Sequence, residues 1–356
     1  MTSIDLAEVR SRVLAFFRAL QDREGLYGCI RMAKGKRPDL YSSVDYAIAR
    51  TIMGEDLMQE VKAKERAEWT EHINSFAEAL HNHTPDGSYF DCLDHGKLHA
   101  NGQVISALGV IGGKQKYVSH LYDDFDTAEK IGPWLDSNVD WTTPWGESHK
   151  FWGGVHCFSR SKRCPPDWLD ACFAWLDANV DPDTGFWRRG VRAKERIHYL
   201  GGAVHILPIY EHRHRPFPCP RQLADSVLDL QRPEASWLDS RDPVSYMDLD
   251  ALYVFHLIRQ WLPVYRRADI QKAVDRYTDT ALAFYAERAD ELYARHPHFV
   301  LAAVGIFGLL SRLNPKRVQD SEKLAWSDIF SDDRFHQTCS VEMDEPVPAP
   351  ARIKSS

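Results

Sequence analysis

What this sequence lacks narrows it first. It has no basic stripe: the longest basic runs, Lys34-Gly-Lys-Arg37 and Arg213-His-Arg215, are short, and the net charge is −7. That excludes a nucleic-acid partner that depends on clustered Lys and Arg. No stretch approaches the roughly 18 uninterrupted apolar residues that a membrane span needs. The start, Met1-Thr-Ser-Ile-Asp-Leu-Ala-Glu8, is acidic and has no apolar signal region, so a cytoplasmic, membrane-free protein is expected. The seven cysteines (29, 92, 157, 164, 172, 219 and 339) are odd in number and dispersed, with no CxxC pair. Reduced thiols are expected from this, not a disulfide frame or a zinc knot. A P-loop, a GxGxxG turn, a GxSxG elbow and an HExxH helix are all missing.

Aromatic residues, by contrast, are plentiful, with 11 Trp and 14 Tyr, and a repeat runs through the chain. Trp134-Leu-Asp-Ser-Asn-Val-Asp140 returns as Trp175-Leu-Asp-Ala-Asn-Val-Asp181, 41 residues on. The first copy is followed by Phe151-Trp-Gly-Gly-Val-His156, the second by Tyr199-Leu-Gly-Gly-Ala-Val-His205. Elsewhere the plan recurs more loosely: a helix, a loop of Asp/Glu-Gly-x-aromatic type, then a more apolar helix. The loops are Glu24 to Tyr27, Asp86 to Tyr89, Trp141 to Gly146, Asp183 to Trp187 and Glu234 to Trp237. The apolar helices that follow open near Tyr41, His99, Trp152, Tyr199 and Tyr246, and a sixth runs from about His298 to Leu313. Apolar residues all round mark a helix buried on both sides. Alternating β-branched runs are scarce, so the expected fold class is all-α.

This rhythm of loop and inner helix resembles the (α/α)6 toroids shared by terpenoid cyclases, protein prenyltransferases, unsaturated glucuronyl hydrolases and several polysaccharide lyases. Val227-Leu-Asp-Leu-Gln231 followed by Trp237 is similar to the Gln-Trp repeat of the cyclases. The resemblance implies a double ring of helical hairpins over residues 1–320 with a pocket at its centre. Residues 321–356 are expected to be a short helix and a disordered Pro-bearing tail. The Asp-rich acid motif of the cyclases is matched only weakly by Met247-Asp-Leu-Asp-Ala-Leu252, and the zinc set of the prenyltransferases has no match.

Polar residues early in otherwise apolar inner helices are the candidate pocket lining, because burying them is costly without partners or ligand. Four-residue spacing puts Tyr41 with Asp45, His99 with Gln103, Trp152 with His156 and Tyr246 with Asp250 on common helix faces. Two rings are thereby expected, with Tyr199 and His205 out of step by one. A second cluster, Asp91-Cys-Leu-Asp-His95 with His99 and Asn101, suits an acid/base pair or part of a metal site, or else a loop capped by Asp94. Trp145, Glu147, His149 and Trp152 suit a sugar platform. Trp187, Arg189 and His198 form a further candidate group, with Arg189 placed to hold a carboxylate. No metal ligand set and no cofactor is assigned, and nothing sets an oligomeric state.

Three function classes follow. The first is a carbohydrate-active enzyme taking a small saccharide that carries uronic acid. As a hydrolase it would use Asp45, Asp248 or Asp250 as the acid. As a lyase it would use Asn101 or Gln103 to neutralise a carboxylate, His99 or His156 as base, and Tyr199 or Tyr246 as acid. The second is a terpenoid-cyclase-like or prenyl-transfer enzyme using aromatic faces. The third is a toroidal binding scaffold without catalysis.

Overall fold

A computed structural model of the chain describes residues 3–78, 87–116, 120–238 and 243–336. It is mostly helical. The helices used below are α1 (Leu6–Leu20), α2 (Leu40–Ile52), α3 (Ala63–Glu78), α4 (Lys97–Ile111), α5 (Ala128–Ser137), α6 (Cys157–Arg160), α7 (Trp168–Asn179), α8 (His198–Val204), α9 (Leu207–His212), α10 (Pro220–Leu230), α11 (Tyr246–Trp261), α12 (Arg267–Tyr293) and α13 (Pro297–Leu313). A π-helix, Phe151–His156, runs straight into α6, and Pro144–Glu147 makes a single turn before it. The described strand pairing is one short parallel ladder, in which Ile4 faces Val318 and Asp5 faces Gln319.

The apolar helices predicted from the repeat are the buried ones. Every residue of α2 is buried, as are most of α11 and α13. Their starts are chemically marked. Asp39 accepts a hydrogen bond from the Ser42 amide at the head of α2, and Ser245 with Asp248 forms a capping box on α11. Pro297, whose missing N–H costs nothing in a first turn, opens α13.

Contacts link the buried helices in chain order. α2 packs on α4, and α4 on the π-helix. α8 packs on the 144–147 turn and on α11, α11 on α13, and α13 returns to α2. The amphipathic helices lie against them: α3 on α2 and α4, α10 and α12 on α11, and α1 and α12 on α13. The two helices that carry the Trp-Leu-Asp repeat, α5 and α7, lie side by side. Cys29, Cys92, Cys157, Cys164, Cys172 and Cys219 are free thiols, and no helix among the described residues is long and apolar enough to cross a membrane.

Residues 321–336 differ from the expected short helix. They form turns and a three-residue 3-10 helix, Asp333–Phe335, seated in the core. The Ser327 amide donates to the Ile52 carbonyl at the end of α2, and Arg312 pairs with buried Asp328. His212 and His336 each bond the Phe330 carbonyl. The segment thus lies across the C-terminal ends of several buried helices. Its core residues Trp326, Ile329 and Phe330 stand at i, i+3 and i+4, a spacing that suits a helix, but Ser327 and Asp328 between them are buried as well and the chain turns through the core instead. The expected disordered tail lies outside the described residues.

Candidate functional site

A cavity of about 440 Å³ opens among the N-terminal halves of the buried helices. Its polar wall holds His95, His99, Gln103, His149, His205, Asp250, His296 and His298. Trp145, Trp152, Tyr246, Phe299 and Phe330 supply aromatic faces, and Arg295 adds a cation. A pocket of this size, mostly apolar with a few convergent polar groups, is what a small-molecule site requires.

The duplicated Gly-Gly pair explains how distant histidines meet here. A Cβ on Gly153 would overlap the Leu98 carbonyl oxygen, and one on Gly201 would overlap the Trp145 indole. Glycine at these two places therefore lets the π-helix lie backbone-to-backbone on the first turn of α4, and lets α8 settle on the 144–147 turn. The first approach brings His99 beside His149, with ring centroids 4.5 Å apart. The second brings His149 within 5.0 Å of His205. Pro208 completes the arrangement: it cannot donate to residue 204, so α8 stops and His205 stands at the break before α9.

Each of these three imidazoles is anchored from behind. His99 Nδ1 is 2.7 Å from the Tyr41 hydroxyl, and His205 Nδ1 is 2.8 Å from Ser148 Oγ. The backbone carbonyls of Gly201 and His95 accept from His205 and His149 respectively. One ligating atom from each of His99, His149 and His205 lies within 4.8 Å of those of the other two. Burial, reinforced by the neighbouring histidines, pushes His99 and His149 well below the ordinary imidazole range. Burial takes His95 and His205 down to about 4. All four are neutral at pH 7.

Carboxyl groups show the opposite perturbation. Burial, with the charge of Asp248 behind it, raises Asp250 well above the usual carboxylate range, which favours its protonated form in the cavity wall. Asp45 is also raised by burial, against the pull of His298, whose Nδ1 lies 3.2 Å from Asp45 Oδ2. Gln103 Oε1 and Trp152 Nε1 are buried with no protein partner, and both belong to cavity-lining side chains. Unpaired buried polar atoms are expensive, and a ligand that meets them recovers that cost.

The remaining sequence candidates lie elsewhere. Asp248 accepts from the Trp237 amide and from both the amide and hydroxyl of Ser245, so its carboxylate is a structural cap. The Tyr199 hydroxyl bridges the Ala193 amide and the Val191 carbonyl, away from the cavity. Tyr246 lines the cavity, but its hydroxyl donates to the His298 carbonyl at 2.7 Å. Asn101 ties Tyr122, Gln115 and Gly153 together. Asp91, in place of Asp94, holds the loop before α4 through the Leu93 and Gly96 amides. Glu147 accepts from the Asp140 amide and Lys150. Trp187 is buried, bonded to the Leu176 carbonyl, while Arg189 is exposed. His198 packs on Trp145 and lies near Glu195.

His156 is the instructive departure. It follows its Gly-Gly pair by one residue fewer than His205 does, and one residue turns a helix face by about 100°. Its Nε2 points to His336 Nδ1 at 2.9 Å and its ring stacks on Trp152, outside the cavity. The residues missed were Arg295, His296, His298, Phe299, Ile329 and Phe330. His298 was within reach, because it occupies the first turn of the sixth buried helix, where the other polar candidates were found.

No protein family, curated protein or solved structure matches this chain.

Proposed function

We propose that the buried helices and their outer partners close as an (α/α)6 toroid, and that the central cavity is the active site of a carbohydrate-active enzyme. The reaction is glycoside hydrolysis or elimination on a small saccharide carrying a uronic acid, by general acid/base catalysis. One observation carries this reading: Asp250, a carboxyl group that burial pushes towards its protonated form, shares a cavity with imidazoles that burial pushes towards their neutral form, among them His95 and His205 at about 4. Environments that push two classes of group apart in this way assign the proton donor and the proton acceptors. Asp250 would protonate the leaving oxygen, and a neutral imidazole would take a proton from water or from the sugar carbon.

The rest of the wall suits such a substrate. Trp145 and Trp152 offer faces for a pyranose ring, Gln103 Oε1 and Trp152 Nε1 await hydroxyl partners, and Arg295 answers a carboxylate. A carbocation cascade fits this lining poorly, because neutral imidazoles are bases and nucleophiles towards a carbocation. The test is a panel of saturated and unsaturated uronyl oligosaccharides, read by reducing ends and by absorbance of the unsaturated product. Turnover that Asp250→Asn abolishes supports the reading. An absence of both turnover and thermal shift across the panel removes it.

A further inference from the structure

We propose that His99, His149 and His205 bind a single divalent transition-metal ion of the Zn(II) class, leaving its fourth position open to the cavity. The inference stands on the histidine geometry and does not depend on the substrate being a saccharide.

The three residues come from three separate segments: the first turn of α4, the helical residues 149–150 that lead into the π-helix, and the break between α8 and α9. Glycine contacts and a proline break bring them together, and their ligating atoms all lie within 4.8 Å of one another. Two nitrogens on one zinc ion stand at most roughly 4.2 Å apart, since each bond is about 2.1 Å. A tetrahedral ion would draw the nitrogens to about 3.4 Å from one another, which requires the rings to rotate inward.

The outer contacts match what a metal ligand needs. A ligating imidazole hands its second nitrogen to an oxygen, which fixes the ring and its tautomer. His99 has Tyr41, His205 has Ser148 and the Gly201 carbonyl, and His149 has the His95 carbonyl. Three imidazoles with no thiolate select a borderline ion over Mg(II) or Ca(II). Three protein ligands and one open position distinguish a working metal site from a closed structural one. The ion would face the same space as Asp250 and His298, where it would lower the pKa of a bound water or polarise a substrate oxygen.

The other histidine group in the molecule is a useful contrast. In the His156, His212 and His336 cluster, the nitrogens are already spent on one another, on Asp333 and on the Phe330 carbonyl, apart from His156 Nδ1. That group is a hydrogen-bonded chain and offers no converging set of lone pairs.

The test uses the purified full chain, stripped with a chelator and titrated with Zn(II) by calorimetry, with metal content measured after desalting. One equivalent per chain and a raised melting temperature are expected. His149→Gln and His205→Gln should each weaken Zn(II) binding by at least about tenfold, Tyr41→Phe by about tenfold, and the double histidine variant should abolish it. His336→Gln should leave Zn(II) binding intact. Circular dichroism checks that each variant folds. Co(II) binding to the unmutated chain, read by the visible bands of a four-coordinate nitrogen site, tests the same point without any substitution. The proposal is overturned by less than half an equivalent of Zn(II), by unchanged affinity in the double variant, by loss of binding in His336→Gln alone, or by an octahedral Co(II) spectrum. No saccharide enters this experiment, so its failure leaves the substrate reading untouched, and failure of the oligosaccharide panel leaves this site untouched.

Discussion

His298 Nδ1 lies 3.2 Å from Asp45 Oδ2, a contact that spans 253 residues of chain and joins the last buried helix to the first. Asp45 is fully buried and His298 nearly so. The ring nitrogen sits almost equally between the two carboxylate oxygens, at 3.2 and 3.3 Å. Removing His298 leaves the buried Asp45 carboxyl without this hydrogen-bond partner, whereas Asp45→Asn keeps an acceptor for the imidazole. His298→Ala is therefore expected to lower unfolding free energy by about 1–3 kcal/mol. Asp45→Asn should cost no more than about 1 kcal/mol. Urea denaturation of the two variants measures the difference, and a larger loss in Asp45→Asn would refute this asymmetry.

Gly153 holds α4 against the π-helix, and its neighbour across the contact is rigid backbone at Leu98. Neither side can yield by turning a side chain. Gly153→Ala is expected to cost about 3 kcal/mol or more. Gly146→Ala, where an added Cβ meets nothing within 4 Å, should stay within about 0.5 kcal/mol of the unmutated chain. Chemical denaturation of this pair separates a packing role from a simple loss of glycine flexibility.

Acid should unfold this protein early. His72 is buried beside Ser43 Oγ, 2.9 Å away, and burial lowers it from 6.5 to about 4. His156 and His336 are displaced in the same direction. With a folded pKa below the unfolded one, the folded state binds fewer protons. The stability is therefore fully present above pH 6.5 and is lost as pH falls towards 4. For His72 alone a shift of this size corresponds to about 3 kcal/mol. Melting temperature is expected to fall steadily from pH 7 to pH 4.5, and His72→Gln should flatten part of that slope. A curve that is flat over this range in the unmutated chain would contradict the burial argument.

These features were unequally legible in the sequence. The buried helices announced themselves through continuous apolar faces, and the repeated Gly-Gly pair marked two of them. What could not be read was how those glycines let backbones meet, since a glycine's neighbour is a matter of tertiary packing. Hence His149 and His205 were named as candidates, but their convergence with His99 was not. Arg189 was nominated for a carboxylate because it follows Trp187, whereas the cation on the cavity wall is Arg295, one turn ahead of α13. His156 looked equivalent to His205, and a phase difference of one residue separated them. The floor at Ile329 and Phe330 comes from a segment of turns beyond the sixth buried helix, and only tertiary packing brings it to the cavity.

Asp248 and Asp250, two residues apart on α11, could not be ranked from spacing, and the structure gives them opposite predictions. Asp248 satisfies the Trp237 amide at 2.8 Å, the Ser245 amide at 3.1 Å and the Ser245 hydroxyl at 2.6 Å. Asp248→Ala should therefore cost about 2 kcal/mol in stability, the upper end for a lost helix cap. Any residual folded protein should keep its substrate preference, because the Asp248 side chain is not part of the cavity wall. Asp250 sits in the cavity wall, where burial favours its protonated form. Asp250→Asn replaces a neutral acid with a neutral amide of the same shape, so the melting temperature should move little. The proton to be donated is gone, however, and kcat should fall by about 10²–10⁴-fold. On the proposed reaction the same group would set the alkaline limb of the pH profile, since a donor works only below its own pKa. Paired measurements of melting temperature and turnover decide the matter. If Asp248→Ala proved inactive at full stability while Asp250→Asn stayed active, the donor would have to be reassigned.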